Sequence, residues 1–395
     1  MKIAMIGQKG LPAIHGGVER HVEELAKRLV SFGHEITVYS RSWYTGKKEH
    51  TIYAEGIHNR YLPTLNSKHL DAITHTFLST LDAMARGTEI IHYHGVGPSL
   101  WSWLPRIFSP MTMVVTTFHC IDRKHEKWNA LAKLVLKLGE WTTCRFAHKT
   151  ITVSRTLEQY TRDVYDTNTV YIPNGATIMA DTAQSEAMLK HFGLEPKHYL
   201  VVVSRLIPHK GVHTIIGAYN ALRDRSGDVT KKFPLVIVGD GHYTEEYSQA
   251  LRALAKDNPR ILFVGYQHGP MLSTLMRHAA VLIHASQAEG LPLTILEAFA
   301  LRLPVILSDI PEHRELGVSP EWLFPPADEN LLSAKIEWFL KLPQEKKLQL
   351  SEENYRRAQK NYNWDTIALS THTLYQSLTP YHNPGAAPNT TISSR

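Results

Sequence analysis

The stretch AVLIHASQAEGLPLTILEAFALRLPVILSD, residues 280–309, narrows most sharply what this chain can become. An apolar run ends at His284, a second runs from Pro304 to Leu307, and an almost wholly apolar helix is predicted between them from Leu293 to Leu301. Strand, loop, helix, loop and strand in so short a span describe a parallel sheet with helices on its faces. Gly290, Leu291 and Pro292 form the turn into the helix, with the proline where its missing N–H costs nothing. Free N–H groups at Leu293 and Thr294 suit a phosphate. Glu289 before the helix and Glu297 within it are acceptors suited to hydroxyl groups instead. Two surface glutamates placed by chance are the competing reading, but Glu297 lies between Leu296 and Ala298, where a charge needs a partner or a cleft. A ribose, a diphosphate and a hexose, the parts of a nucleotide sugar, would engage all of these groups.

The same alternation fills the rest of the chain. Lys2 to Gly7 reads as a strand, and Val22, Leu25, Ala26, Leu29 and Val30 then share one helical face. Gly33 stops that helix, and Glu35 to Ser40 is the next strand. Apolar, β-branched runs at 89–92, 113–117, 150–153 and 169–172 add further buried strands, and Pro173-Asn174-Gly175 closes this half. After a linker at 176–197, strands at 199–204, 234–238, 260–264 and 280–284 alternate with helices. The fold class is therefore α/β, as two doubly wound domains, and 395 residues are too many for one ordinary core. The expected extents are 1–175 and 190–360, then a helix over 362–379 and a disordered tail over 380–395.

Open α/β sheets bind ligands at the carboxyl ends of their strands, and the residues that can do chemistry gather there. The first such loop, GQKGLPAIHGGVER, lacks G-x-G-x-x-G spacing, which argues against a dinucleotide-dependent oxidoreductase. Gly16-Gly17 either brings backbone N–H groups to a diphosphate or is a flexible loop with a glycine cap. His94 and His119 follow two strands, His94 as an orienting residue for its loop. In Ser204-Arg205-Leu-Ile-Pro-His-Lys210-Gly211, Arg205 offers a fork of donors and Lys210 a point charge for a diphosphate, unless both are solvated surface cations. Gly239 and Gly241 form a turn after the next strand, and Tyr266 is either a stacking platform or a rim tyrosine. The segment 122–149 is basic and carries Trp128, Leu131, Leu134, Val135, Leu138 and Trp141 at helical spacing. It is expected to pack that stripe on the sheet, while the sharper alternative lays Arg123 to Trp128 on an anionic membrane surface.

EGLPLTILEA resembles the E-x7-E signature of the retaining GT-B glycosyltransferases of family 4. GGVERHVEELAKRL, the R-x4-K-G segment at Arg205 to Gly211, Val238-Gly-Asp-Gly and Phe263-Val-Gly-Tyr266 resemble further family segments, so the likeness covers nearly all of the chain. It implies two Rossmann-like domains facing across a cleft, with the last helix crossing back to the first domain. It also implies catalytic roles for His119, Arg205, Lys210 and Glu289, with His119 beside the reacting sugar. Donor contacts would come from Gly16, Gly17, Gly239, Gly241, Tyr266, Gly290, Leu291, Pro292, Leu293, Thr294 and Glu297, with Glu289 on sugar hydroxyls and Glu297 on the ribose. His15, Arg123 and Lys124 would lie on the acceptor or membrane side. The family commonly has glycines after the strand that ends at Ser308-Asp309, whereas this chain has Ile310-Pro-Glu-His-Arg-Glu315.

The implied activity is transfer of a sugar from a nucleotide diphosphate sugar to a glycan or lipid-linked acceptor hydroxyl, with retention, in cell-surface polysaccharide or glycolipid assembly. No Asp-x-Asp triplet occurs, so no metal and no other cofactor are expected. A nucleotide-sugar epimerase of the same fold and a non-catalytic, transferase-like binding partner are the alternatives. Composition is consistent with these readings. Hydrophobic residues make up 43% and charged residues 20%, as in soluble globular proteins, and MKIAMIGQKG reads as a buried strand rather than a signal peptide. Two cysteines argue against a disulfide framework and for a reducing cytoplasm, at the inner face of the membrane if the acceptor is lipid-linked. A net charge of +6 suits anionic small molecules or an anionic membrane. No zinc-ligand spacing or dense Lys/Arg run points to nucleic acid, and the 23 histidines are scattered.

Overall fold

The computed structural model of the chain describes residues 1–14, 16–46, 49–65, 70–124, 129–177, 183–241 and 244–378. His15, residues 125–128, the side chain of Lys124 and the tail over 380–395 lie outside the described residues. The strands are β1 (Lys2–Ile6), β2 (Glu35–Arg41), β3 (Thr51–Tyr53), β4 (Ile57–Leu62), β5 (Ile90–His94), β6 (Met113–Phe118), β7 (Lys149–Thr152) and β8 (Val170–Tyr171) in the first half. The second half has β9 (Leu200–Val203), β10 (Leu235–Val238), β11 (Ile261–Gly265), β12 (Val281–His284), β13 (Val305–Ser308) and β14 (Leu323–Phe324).

The first sheet has the order β3-β4-β2-β1-β5-β6-β7-β8 and the second β11-β10-β9-β12-β13-β14. Every pairing is parallel except β3 with β4. Central strands are buried on both faces, which is why KIAMI and LVVV read as continuous apolar runs instead of alternating ones. Registers such as Ile3 with Ile36 and Ile90, or Val201 with Val236 and Leu282, stack aliphatic residues through each core.

Helix Gly17–Ser31 covers the first sheet with Val22, Leu25, Ala26 and Leu29, all buried as the periodicity predicts. The last helix, Trp364–Leu378, joins the same cluster through Trp364, Ile367, Ala368, Leu374 and Tyr375, so the chain ends on the domain where it began. Arg28 Nε donates to Asp365 at 2.7 Å, and His92 Nδ1 lies 2.6 Å from the Tyr375 hydroxyl.

One packing expectation is corrected. Helix Ala130–Phe146 lies on the first sheet, but through Leu136, Gly139, Glu140, Thr142 and Thr143. A side chain at Gly139 would come within 2.3 Å of the Val96 carbonyl, so glycine permits this close approach. Leu131, Leu134, Leu138 and Trp141 point outward instead.

In each sheet the strand order reverses beside the first strand of its domain, at β1/β5 and at β9/β12. The loops after β1, β9 and β12 are those singled out from sequence, and reversal points of this kind are where α/β sheets bind ligands.

Candidate active site

The second-domain side of the site follows from one turn. After β9, Pro208–Lys210 forms a short 3-10 turn, and Gly211 follows in the left-handed region with φ 65°. A side chain at Gly211 would come within 2.2 Å of the Ala285 carbonyl. The glycine after Lys210 therefore lets the β9 loop lie on the end of β12. Lys210 Nζ consequently reaches Glu289 Oε1 at 2.5 Å, and His284 Nε2 lies 2.9 Å from the same oxygen. Burial opposes ionisation of Glu289, but Lys210 and His284 outweigh it and hold the carboxyl well below the usual range.

Beneath this pair sits a histidine that the local sequence does not advertise. The segment that departs from the family pattern forms helix Pro311–Arg314 and buries His313, whose ring lies 5.4 Å from that of His284. Burial depresses His313 to about 3, so it is neutral. Glu315 reaches the first domain, where its carboxylate accepts from the Thr156 backbone N–H at 3.0 Å and the Thr156 hydroxyl at 2.9 Å.

Arg205 is exposed beside the cleft, close enough to act on the Cys120 thiol, whose pKa burial raises and Arg205 opposes. Gly239 is needed in the adjoining turn, since a side chain there would meet the Ser204 carbonyl at 1.8 Å. Gly241 N–H donates to Asp240 Oδ1 at 2.6 Å. Tyr266 donates its hydroxyl to the Ile14 carbonyl of the first domain, so it bridges the cleft rim.

Helix Leu293–Ala300 begins directly after Pro292, with Ile295, Leu296 and Glu297 buried. Its start faces the start of Gly17–Ser31: a side chain at Gly17 would lie 3.4 Å from Leu293 Cδ1. Gly16 has φ 104°, and a side chain there would collide with the Glu19 carboxylate at 2.1 Å. Gly290 packs on the His119 carbonyl, 1.7 Å from where a β-carbon would stand. Leu291 offers its carbonyl to Asn174 Nδ2 at 2.9 Å. The two predicted helix starts, His119 and the Glu289 turn thus share one interdomain cleft.

Two partners escaped the sequence reading. Arg20 bonds Glu297 across the cleft. Burial raises the Glu297 carboxyl and Arg20 opposes that rise, while the carboxylate in turn raises Arg20. His21 stands beside His119, with ring centroids 4.8 Å apart, and 5.5 Å from His94. Because the Asn174 amide nitrogen serves Leu291, its oxygen accepts from His21 Nδ1 at 2.9 Å, which leaves Nε2 as the unprotonated nitrogen. Burial lowers His21 to about 4 and places His94 and His119 well below the ordinary value, so all three are neutral imidazoles.

Among the described residues, His21, His94 and His119 offer nitrogens within 4.8 Å of one another, as do the donor atoms of His284, Glu289 and His313. The second group already has a cation, Lys210. The first can accept hydrogen bonds from hydroxyl groups. Arg123 is turned inward: its Nε lies 3.1 Å from Glu140 Oε1, and its Nη2 donates to Tyr160 at 2.7 Å.

Residues 15–178 match the family model for Glycosyltransferase Family 4, and residues 184–357 match that for Glycosyl transferases group 1, so the two together span most of the chain. The serotype-specific mannosyltransferase WbdA of Escherichia coli is 30% identical over 205 residues, which is 51% of this chain but only 23% of that protein. Sucrose-phosphate synthase from Thermosynechococcus elongatus superposes with a TM-score of 0.80 at 22% identity, covering 95% of this chain and 98% of that one. Anabaena Alr3699/HepE, solved in complex with UDP-glucose, gives a TM-score of 0.76 at 18% identity, over 96% of this chain and 100% of that one. The two solved structures show the fold, GT-B.

Proposed function

Because the chain belongs to the glycosyltransferases of family 4 and group 1, we propose that it moves a hexose from a nucleotide diphosphate sugar to an acceptor hydroxyl. The acceptor is a glycan or a lipid-linked sugar, and transfer proceeds with retention and without a metal ion. The observation that carries this reading is the Lys210–Glu289 pair at the β9/β12 reversal point, set in the cleft into which two helix starts open.

The chemical problem is charge. The bond from the anomeric carbon to the diphosphate oxygen breaks, the electron pair stays on the phosphate, and the sugar becomes oxocarbenium-like. A bond then forms from the acceptor oxygen to that carbon, and the acceptor's proton leaves to the diphosphate or to solvent. Arg205, Lys210 and the backbone N–H groups at Gly17 and Leu293 supply donors fixed in advance for the growing phosphate charge. An ionised Glu289 suits sugar hydroxyls and a buried Glu297 suits a ribose, with Arg20 as the group that a ribose must share or displace. His119 is neutral, so it serves as a hydrogen-bonding partner for a sugar hydroxyl and adds no charge at the reacting carbon.

The setting is cell-surface polysaccharide or glycolipid assembly, which the serotype-specific relative supports. The test is release of nucleoside diphosphate from a panel of UDP-, GDP- and dTDP-sugars, with and without glycan acceptors. Acceptor-dependent release is expected. Conversion of the nucleotide sugar to an epimer without acceptor and without net release of nucleoside diphosphate would favour an epimerase, and no turnover on any donor would favour a binding protein.

A further inference from the structure

The helix Ala130–Phe146 has its amphipathic character inverted. The side against the sheet carries one large apolar residue, Leu136, among glycine, glutamate and threonines. The side facing solvent carries Leu131, Leu134, Leu138 and Trp141, with Leu131 70% and Leu134 64% exposed. Lys133, Lys137 and Arg145 are the other long side chains exposed there. The helix has a single acid, Glu140, which is fully buried and accepts from Arg123, Tyr160 and Tyr165. That anchoring fixes which way the helix faces.

The apolar surface continues onto the neighbouring elements. Ile107 and Phe108 end the helix Trp103–Phe108 and are exposed, as is Met111. Beside the 3-10 turn Pro98–Trp101, Leu65, Ile73, Phe77, Leu78 and Trp101 line an open cavity of about 320 Å³. Exposed apolar side chains gathered in this number on neighbouring elements mark an interaction site.

We propose that this face lies on an anionic lipid bilayer, with Leu131, Leu134, Leu138 and Trp141 in the headgroup–acyl boundary and Lys133, Lys137 and Arg145 on lipid phosphates. The stripe from Leu131 to Trp141 spans about 15 Å along the helix, and interfacial helices bury such a face roughly 5–10 Å deep. Charge decides among occupants. A two-fold contact between copies would set these cations against themselves, whereas an anionic leaflet complements all of them. Bilayer binding goes beyond the transfer reading and stands without it, because it needs no donor and no chemistry.

The test is flotation with vesicles of phosphatidylcholine containing one quarter phosphatidylglycerol, against pure phosphatidylcholine, at low and at physiological ionic strength. The full chain should float with the anionic vesicles, less so as salt rises. Leu134→Glu with Leu138→Glu should reduce binding at least tenfold. Lys133→Gln with Lys137→Gln should reduce it roughly fivefold per lysine and weaken its salt dependence. Quenching of tryptophan fluorescence by brominated lipid should be reduced in Trp141→Phe. Failure of the unaltered protein to float at low salt would overturn the proposal, as would equal flotation by the leucine variant. A dimer in light scattering that the leucine variant abolishes would assign the face to a second copy instead. Nucleotide affinity measured without vesicles should be the same in all variants, so a failed donor assay and failed flotation are separate results.

Discussion

Gly290→Ala is the sharpest perturbation of the cleft. A β-carbon at this position would stand 1.7 Å from the His119 carbonyl oxygen and 2.9 Å from its carbon. Contacts below 3.0 Å do not persist, so the two backbones must separate by about 1.3 Å. Gly290 is not among the residues with positive φ, so alanine brings no backbone strain of its own. His119 follows β6 inside the first sheet, and Gly290 lies between β12 and its helix. Neither segment can yield alone, and the domains must open. Opening would stretch the 2.9 Å bond from Asn174 to the Leu291 carbonyl and lift Gly17 from Leu293. A misplacement of about 1 Å between reacting groups costs roughly 10²-fold in rate. The variant should therefore lose about 10²-fold in kcat. Its nucleotide affinity should change by less than about tenfold, since Arg205 and Lys210 belong to one domain, and each 1.4 kcal/mol of lost binding would be tenfold. Gly97→Ala is the control, because its β-carbon would meet only Leu136 Cδ2, at 3.8 Å. Steady-state kinetics, nucleotide calorimetry and thermal melts on both variants decide it. A kcat within twofold of the unaltered enzyme would refute the closed-cleft argument, and so would parallel losses of stability and nucleotide affinity.

Other outcomes follow from the same geometry. Lys210→Ala should slow transfer by roughly 10²–10³, the usual effect of removing one preorganised donor, and near-normal turnover would remove it from the mechanism. Glu297→Ala should mainly raise the donor KM, because ribose contacts serve ground and transition states alike; a pure kcat loss would contradict that role. His21, His92 and His313 are depressed to about 4, 3 and 3, so the unfolded chain takes up their protons first as pH falls below 6.5. Their stabilising contribution is complete above that pH and lost below it, by about 1.4 kcal/mol per histidine per pH unit, or roughly 4 kcal/mol together at pH 5.5. Urea unfolding from pH 7.5 to 5.5 measures this, and a flat profile would mean the three are not buried as neutral rings.

Much of this architecture is legible in the sequence because its signals are local. The strands at 199–204, 234–238, 260–264 and 280–284 fall on β9 to β12 within a residue or so, since doubly buried strands read as apolar runs. The face of Val22, Leu25, Ala26 and Leu29 is buried as its period requires. Residues 51–62 give no comparable signal, as β3 and β4 lie at the edge of the sheet and are half exposed. Lys210, Glu289, Gly17 and Gly290 were readable because a strand end and a helix start locate them. Arg20 and His21 were not, because their partners Glu297, Asn174 and His119 are distant in sequence, and Glu297 meets Arg20 only where the two domains face each other. The stripe on helix Ala130–Phe146 was misplaced for a different reason. Periodicity identifies an apolar face but not the medium it faces, and here buried Glu140, Gly139 and the threonines turn it outward.

The central claim is that cations of the second domain and backbone N–H groups of the first converge on one diphosphate. It is tested most directly by comparing the affinities of nucleoside diphosphate and monophosphate for the unaltered chain and for Arg205→Ala with Lys210→Ala. Charge-assisted bonds of this kind are worth about 1.5–3 kcal/mol each, so the diphosphate should bind at least roughly tenfold more tightly, and the difference should shrink in the double variant to what the backbone N–H groups alone supply. Equal affinities for the two nucleotides in the unaltered protein, or a difference that the double substitution leaves undiminished, would contradict the account.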